Sequence, residues 1–156
     1  MLDFFLRPVT THDLALTYAI KREAIGAFVA KVWGWDETFQ WQFHCETFEA
    51  YHPQTHASRF WVVEVAGQPV GTWEVAEHID SFFVCGIYLK AAVQGRGIGR
   101  KLIEDLLTGA GKQRKTVTLE VFRINERAFQ FYLKLGFAVT SQTETKYVMS
   151  ARPVAL

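Results

Sequence analysis

Eight consecutive residues, Gln94-Gly95-Arg96-Gly97-Ile98-Gly99-Arg100-Lys101, hold the residue types that recognise an anion. They follow a strand-like run and open a run of helical periodicity. Alternating glycines let the backbone curl and let a bulky ligand approach the main-chain N–H groups. The first N–H groups of a helix have no partner within it, and the helix dipole adds partial positive charge there. Phosphate suits such a place. The order of charges agrees, because Arg96, Arg100 and Lys101 crowd the first turn while Glu104 and Asp105 come later. Basic residues there oppose the dipole by ~0.3–1 kcal/mol each, and a bound polyanion reverses that sign. The competing reading is a glycine-rich turn with solvated basic side chains. Other phosphate motifs fit worse. No Gly-Lys-Ser/Thr is present, the glycine spacing differs by one from the dinucleotide fingerprint, and the preceding strands form hairpins rather than a βαβ unit.

A second segment runs Leu119-Glu120-Val121-Phe122-Arg123-Ile124-Asn125-Glu126-Arg127-Ala128 and continues to Phe131-Tyr132-Leu133-Lys134-Leu135-Gly136-Phe137. Asn125, Ala128 or Phe129, and Tyr132 share one helix face. Asn125 suits a helix cap and a contact with a ligand amide. Ala128 is small enough to admit a closely packed group. Tyr132 presents an apolar ring with a hydroxyl at its tip. Its plainer reading is a core aromatic whose hydroxyl meets backbone. Earlier in the chain, Trp33, Trp35, Trp41 and Phe43 lie with Asp36, Glu37 and Gln40. Rings and carboxylates of that kind can hold a cationic amine, or the rings can simply pack helices onto a sheet. His12, His44, His52, His56 and His78 lack ligand spacing, so no metal is expected.

The elements that must position these residues are legible. Leu2 to Leu6 reads as a strand. Thr10, Thr11 and Asp13 are N-cap candidates for a helix carrying Leu14, Tyr18, Ile25, Phe28 or Val29, and Val32. Trp33 to Asp36 breaks it, and a second helix covers Glu37 to Phe48. Strands follow at Phe60 to Ala66 and Val70 to Glu77, around a hairpin at Gly67-Gln68-Pro69, and then at Ser81 to Leu89. Ile98, Leu102, Ile103, Leu106, Leu107 and Ala110 mark one helix face. Thr116 to Phe122 is a strand, and Asn125 to Leu135 a helix ended by Gly136. Phe137 to Thr140 and Thr145 to Ser150 are the last strands. This order predicts a mixed, mostly antiparallel α/β (α+β) fold, with a twisted sheet of about seven strands flanked by about four helices.

The composition sets bounds. A chain of 156 residues suits one domain, spanning 1–156. With 49% hydrophobic residues it can bury a sizeable core. A net charge of +1 gives no global field for nucleic acid or an anionic membrane, so an anion site must be local. Cys45 and Cys85 form no Cys-x-x-Cys pair and read as reduced thiols, with a lone disulfide as the alternative. No apolar run approaches the ~20 residues of a membrane span, and MLDFFLRPVT lacks the form of a signal peptide. A soluble, cytoplasmic protein is expected. A homodimer is compatible with the sequence.

Taken together, Gln94-x-x-Gly97-x-Gly99 after a strand and Asn125-x-x-Ala128 with Phe131-Tyr132-x-x-x-Gly136-Phe137 after another resemble the two signatures of the GNAT superfamily of acetyl-CoA-dependent N-acetyltransferases. The motif resemblance spans about Ser81 to Phe137, and the element order extends it along nearly the whole chain. It implies acetyl-CoA as co-substrate, transferred to a primary amine by direct attack in a ternary complex. It implies that Gln94, Gly95, Arg96, Gly97, Ile98, Gly99 and Arg100 bind the CoA pyrophosphate. Lys101 with Arg96 and Arg100 would neighbour the 3′-phosphate. Ile87, Tyr88 and Leu89 would meet the pantetheine arm, the N–H near Leu89 would serve the thioester oxygen, and Asn125 and Ala128 would complete the cofactor site. Tyr132 would be the general acid for the departing sulfur, and Glu120 the first choice of base, with Glu74 and Glu23 as rivals. Glu23, Trp33, Trp35 and Glu74 are the candidates for the acceptor side. The acceptor itself stays open between a small-molecule amine or amino acid and a protein N-terminus. Two neighbouring readings are a non-catalytic acyl-CoA sensor and a transferase of another acyl group. A third, an RNA- or partner-binding module built on Arg96, Arg100 and Lys101, is disfavoured by the near-neutral charge.

Overall fold

The computed structural model of the protein describes residues 2–50 and 58–153, so His52 and His56 lie outside the described residues. In chain order the elements are β1 (Phe5–Pro8), a 3-10 turn (Thr11–Asp13), α1 (Leu14–Trp33), α2 (Glu37–Ala50), β2 (Ser58–Val65), β3 (Gln68–Glu77) and β4 (Ser81–Leu89). A second 3-10 turn (Ala91–Val93) precedes α3 (Ile98–Lys112), followed by β5 (Thr116–Phe122), α4 (Glu126–Lys134), β6 (Ala138–Gln142) and β7 (Lys146–Ala151). The strands form one seven-stranded sheet in the order β1-β2-β3-β4-β5-β7-β6. This is the expected mixed, mostly antiparallel fold, with four α-helices among the described residues. The chain clusters into two compact units, Met1–Val75 with Gly86–Ile98, and Ala76–Cys85 with Gly99–Leu156.

In the first unit β1 pairs antiparallel with β2, from Phe5 opposite Glu64 to Pro8 opposite Trp61. The strand therefore begins three residues later than the Leu2 start expected from its apolar run. Arg7 fixes the entry to α1. Its guanidinium donates to both oxygens of Asp13, at 2.9 and 3.1 Å, and to Glu64 at 3.1 Å. Thr10 and Asp13 close a capping box around the turn between them. The hydrogen bond from Arg7 holds the buried Asp13 carboxyl below the usual carboxylate range, against the opposing effect of burial. The β2–β3 turn is Ala66-Gly67, both with positive φ (51° and 77°). Gln68 and Pro69 belong to β3, not to the turn as expected, because two left-handed residues suffice to reverse an antiparallel pair.

In the second unit β4 runs parallel to β5, from Ser81 opposite Thr116 to Val84 opposite Leu119. A parallel pair needs a crossover, and α3 supplies it. Ile98, Leu102, Ile103 and Ala110 of α3 are buried, at the spacing that marked one face. β7 pairs antiparallel with β5, and β6 with β7, with a bulge between Val139 and Ser141. Every residue of β6 is exposed. A bulge on such an edge discourages pairing with another chain. Asn125 accepts at Oδ1 from the Ala128 N–H (3.2 Å), capping α4 as expected, and Gly136 takes the left-handed φ of +95° that ends it.

Candidate active site

Strand β4 ends at Leu89, and the chain then turns through residues 91–93 into the glycine segment. Three bonds shape this passage. The Lys90 N–H donates to the Val70 carbonyl at 2.8 Å, the Val93 N–H to the Lys90 carbonyl at 3.0 Å, and Gln94 Nε2 to the Leu89 carbonyl at 2.9 Å. Gln94 thus folds its own turn back onto the end of β4, a role its place in the motif did not reveal. The β3 backbone lies close here. A Cβ on Gly71 would stand 2.6 Å from both the Tyr88 carbonyl and Leu89 Cδ2, so only glycine fits. Nothing local marks Gly71 for this role, because the contact joins two strands.

Gly95 and Gly97 adopt φ of +74° and +94°. A side chain there would pay the left-handed penalty of ~1–2 kcal/mol. These two residues turn the chain so that α3 begins at Ile98 with no acid in its first turn. The leading N–H groups of α3 lack intrahelical acceptors by construction, and the dipole makes that end positive. Ile98 is buried, at 1% exposure, and anchors the helix start. The expected cationic neighbours are partly engaged. Arg100 bonds Glu104 at 2.8 Å and Lys101 bonds Asp105 at 2.7 Å, each one turn along the same helix. Arg96 pairs with no acid among the described residues, and its carbonyl accepts weakly from the Leu2 N–H at 3.4 Å.

On α4, Tyr132 is buried at 7% exposure. Its ring meets Phe131 and Phe137 in edge contacts, with centroids at 5.2 and 5.6 Å. Burial alone pushes its phenol up to about 12, so the hydroxyl keeps its proton at neutral pH. On β5, Glu120 is exposed and lies 3.5 Å from Lys146 Nζ, whose ammonium also sits 5.0 Å from the Phe122 ring centre. Glu74 lies half-buried on β3 beside the buried Trp73.

For the α1–α2 region the sequence left two readings, rings and carboxylates that hold an amine or rings that pack helices onto the sheet. Glu37 accepts from the Tyr18 hydroxyl at 2.8 Å and Arg22 at 3.3 Å on one oxygen, and from Trp35 Nε1 at 2.6 Å on the other. The Arg22 guanidinium stands 5.8 Å from the Trp35 ring centre. Trp35 and Glu37 therefore already hold a cation, the chain's own Arg22. Asp36 caps α2 by accepting from the Phe39 N–H at 2.9 Å. Trp33 is 60% exposed, so it is not the tryptophan that packs a core; Trp73 is, at 4%. Glu23, on the same helix, accepts from the Ala91 N–H at 2.8 Å.

The description "Acetyltransferase (GNAT) domain" belongs to the family whose model matches residues 56–139, more than half of the chain. The peptidyl-lysine N-acetyltransferase YjaB of Escherichia coli (strain K12) is 37% identical over 86 residues, 54% of this chain and 52% of that protein. The protein of the same name from Salmonella typhimurium is 37% identical over 78 residues, 49% of this chain and 48% of that one. The chain thus spans about half the length of the curated relatives it matches. Among solved structures, the PaiA N-acetyltransferase from Thermoplasma acidophilum, in complex with coenzyme A, superposes with a TM-score of 0.78 at 19% identity, over 97% of this chain and 99% of that one. The ribosomal-protein-S18-alanine N-acetyltransferase from Escherichia coli gives 0.72 at 20% identity, over 99% and 96%. At these identities the structures speak for the fold, and the match over residues 56–139 speaks for descent. The chain belongs to the GNAT acetyltransferase family, a family of acetyl-CoA-dependent acyltransferases.

Proposed function

We propose that this protein transfers the acetyl group of acetyl-CoA to a primary amine by direct attack within a ternary complex, as a single catalytic domain over residues 1–156. The observation that carries the reading is the turn into α3, where left-handed Gly95 and Gly97 bring the chain to a helix N-terminus with no acid in its first turn. Such an end receives a diphosphate through main-chain N–H groups. In this reading residues 94–100 hold the pyrophosphate, Ile87, Tyr88 and Leu89 the pantetheine arm, and Asn125 and Ala128 complete the cofactor site.

The chemistry then has defined needs. The neutral amine attacks the thioester carbon, a C–N bond forms, and the carbonyl oxygen gains charge that the N–H near Leu89 stabilises. As the C–S bond breaks, the thiolate takes a proton from the Tyr132 hydroxyl. The amine loses a proton to a base, for which Glu120 is first choice, with Glu74, Glu23 or a water chain as the rivals. Amines of pKa ~8 to ~10.4 arrive mostly as ammonium, so one proton must leave before attack, and a second leaves the nitrogen after the C–N bond forms, balancing the proton that Tyr132 gives to sulfur. The curated relatives act on peptidyl lysine by name. That favours the ε-amine of a protein lysine, with a protein N-terminus and small amines as the alternatives.

An acceptor panel tests this. Lysine-containing peptides, N-terminal peptides, polyamines and amino acids are each incubated with acetyl-CoA, and free thiol is read. Release above hydrolysis with one amine class supports transfer and names the acceptor. CoA binding with no release for any amine replaces the enzyme with an acyl-CoA sensor. Release only with succinyl-CoA or another thioester changes the acyl group.

A further inference from the structure

Glu23 lies on α1, yet its Oε2 accepts from the backbone N–H of Ala91, 2.8 Å away and 68 residues further along the chain. Ala91 opens the 3-10 turn that leads directly into Gln94. Other ties of this passage run to the Val70 carbonyl on β3, to the Leu89 carbonyl at the end of β4, and, within the turn, to the carbonyls of Lys90 and Ala91. Glu23 supplies the tie to a helix. A carboxylate acceptor makes this bond charge-assisted, stronger than one between neutral groups.

We propose that Glu23 is a positioning residue, whose carboxylate pins the turn at Ala91 to α1 and so sets the backbone N–H groups that follow, from Gly95 to Ile98, for the CoA diphosphate. The inference rests on the function proposed above. It gives Glu23 a task distinct from that of a catalytic base, and Glu23→Gln separates the two, since glutamine keeps an acceptor oxygen but cannot collect an amine proton. The charge itself argues for this role. An acid bonded at the mouth of an anion site repels the anion through space, so a carboxylate there is expected to aid binding only by what it holds in place.

That sign separates the roles. If Glu23 acted only through its charge, Glu23→Gln and Glu23→Ala would both tighten CoA binding. If it were the base, Glu23→Gln would abolish turnover and leave affinity alone. As a pin, glutamine still offers an oxygen to Ala91 and alanine offers none. Calorimetry with CoA is then expected to give Glu23→Gln an affinity equal to or above wild type, with kcat kept, and Glu23→Ala a loss of about five- to tenfold. Ala91→Pro removes the donor instead of the acceptor. Lys90, at φ −59° and ψ 146°, already has the backbone that precedes a proline. It should match the loss in Glu23→Ala, and the double variant should lose no more than either alone. In the absence of CoA, amide exchange at Ala91 should quicken in Glu23→Ala and stay near wild type in Glu23→Gln. Unchanged exchange in Glu23→Ala, unchanged or tighter CoA binding in that variant, or a loss of kcat confined to Glu23→Gln each overturns the proposal. Wild-type protein that binds no CoA overturns the function itself, whereas the exchange measurement reports on the pin alone.

Discussion

A phenol that delivers a proton to a departing thiolate must still carry it when the bond breaks. Tyr132 meets that condition because burial pushes it up to about 12, well above any assay pH. Any alkaline limb of the rate profile below about pH 10 therefore belongs to another group. Replacing Tyr132 by phenylalanine keeps the ring and its edge contacts with Phe131 and Phe137 and removes only the hydroxyl. Tyr132→Phe is expected to lower kcat by about a hundredfold, the usual worth of a positioned acid, while the Kd for CoA moves by less than about twofold. Equal kcat in the two proteins would take Tyr132 out of the chemistry. What could be read ahead of the structure depends on the reach of each contact. Asn125 and Gly136 act on their own helix, so spacing alone revealed them. Glu23 and Ala91 meet across 68 residues, and Gly71 matters only because β4 passes beside it. Contacts of that kind leave no local periodicity to find.

Two elements carry predictions of their own. In the turn before α3, Gly97 sits at φ +94°, where a β-branched side chain is strained and would crowd an approaching diphosphate. Gly97→Val is expected to weaken acetyl-CoA binding by at least about tenfold, read by calorimetry. Unaltered affinity would place the diphosphate elsewhere. Between α1 and α2, His44 is buried, and its Nε2 lies 3.0 Å from Thr17 Oγ1 and 3.2 Å from the Leu14 carbonyl. A carbonyl can only accept, so in its bond to Leu14 the Nε2 carries the ring proton and is the donor. Burial, aided by the charge of Lys21 and opposed by the Leu14 bond, pushes the imidazole from 6.5 down to about 4. The folded state thus prefers the neutral ring. Its contribution is complete above pH 6.5 and drains away as pH falls through 4. Denaturant titrations should register a loss of up to about 3 kcal/mol across that window, absent in His44→Gln. An equal acid loss in both proteins would assign it to other groups. The α1–α2 connection was less legible. The types of Trp35, Asp36 and Glu37 allowed an amine site or simple packing, and nothing local announced that Arg22 of the preceding helix would meet Trp35 and Glu37.

At the scale of the whole molecule, the charge is nearly balanced, 17 basic residues against 16 acidic. A polyanion such as CoA is therefore not drawn in by a broad positive field. Its attraction must come from the few N–H groups and cations at the start of α3, and two of those cations already pair with Glu104 and Asp105. Salt screens charges separated by more than about 8–10 Å, but acts much less on hydrogen bonds made directly to main-chain N–H groups. Binding through the helix end should then respond weakly to ionic strength. Between 50 and 200 mM salt the Kd for CoA is expected to rise by less than about tenfold, against the 10³–10⁵-fold loss typical of proteins that neutralise many nucleic-acid phosphates. Comparison with dephospho-CoA isolates the part owed to side-chain cations. Arg96, which pairs with no acid among the described residues, should contribute more of it than Arg100, so Arg96→Ala should narrow the gap between the two ligands further than Arg100→Ala does. A steep salt dependence, with RNA competing effectively against CoA, would mean that the basic side chains rather than the backbone turn hold the anion.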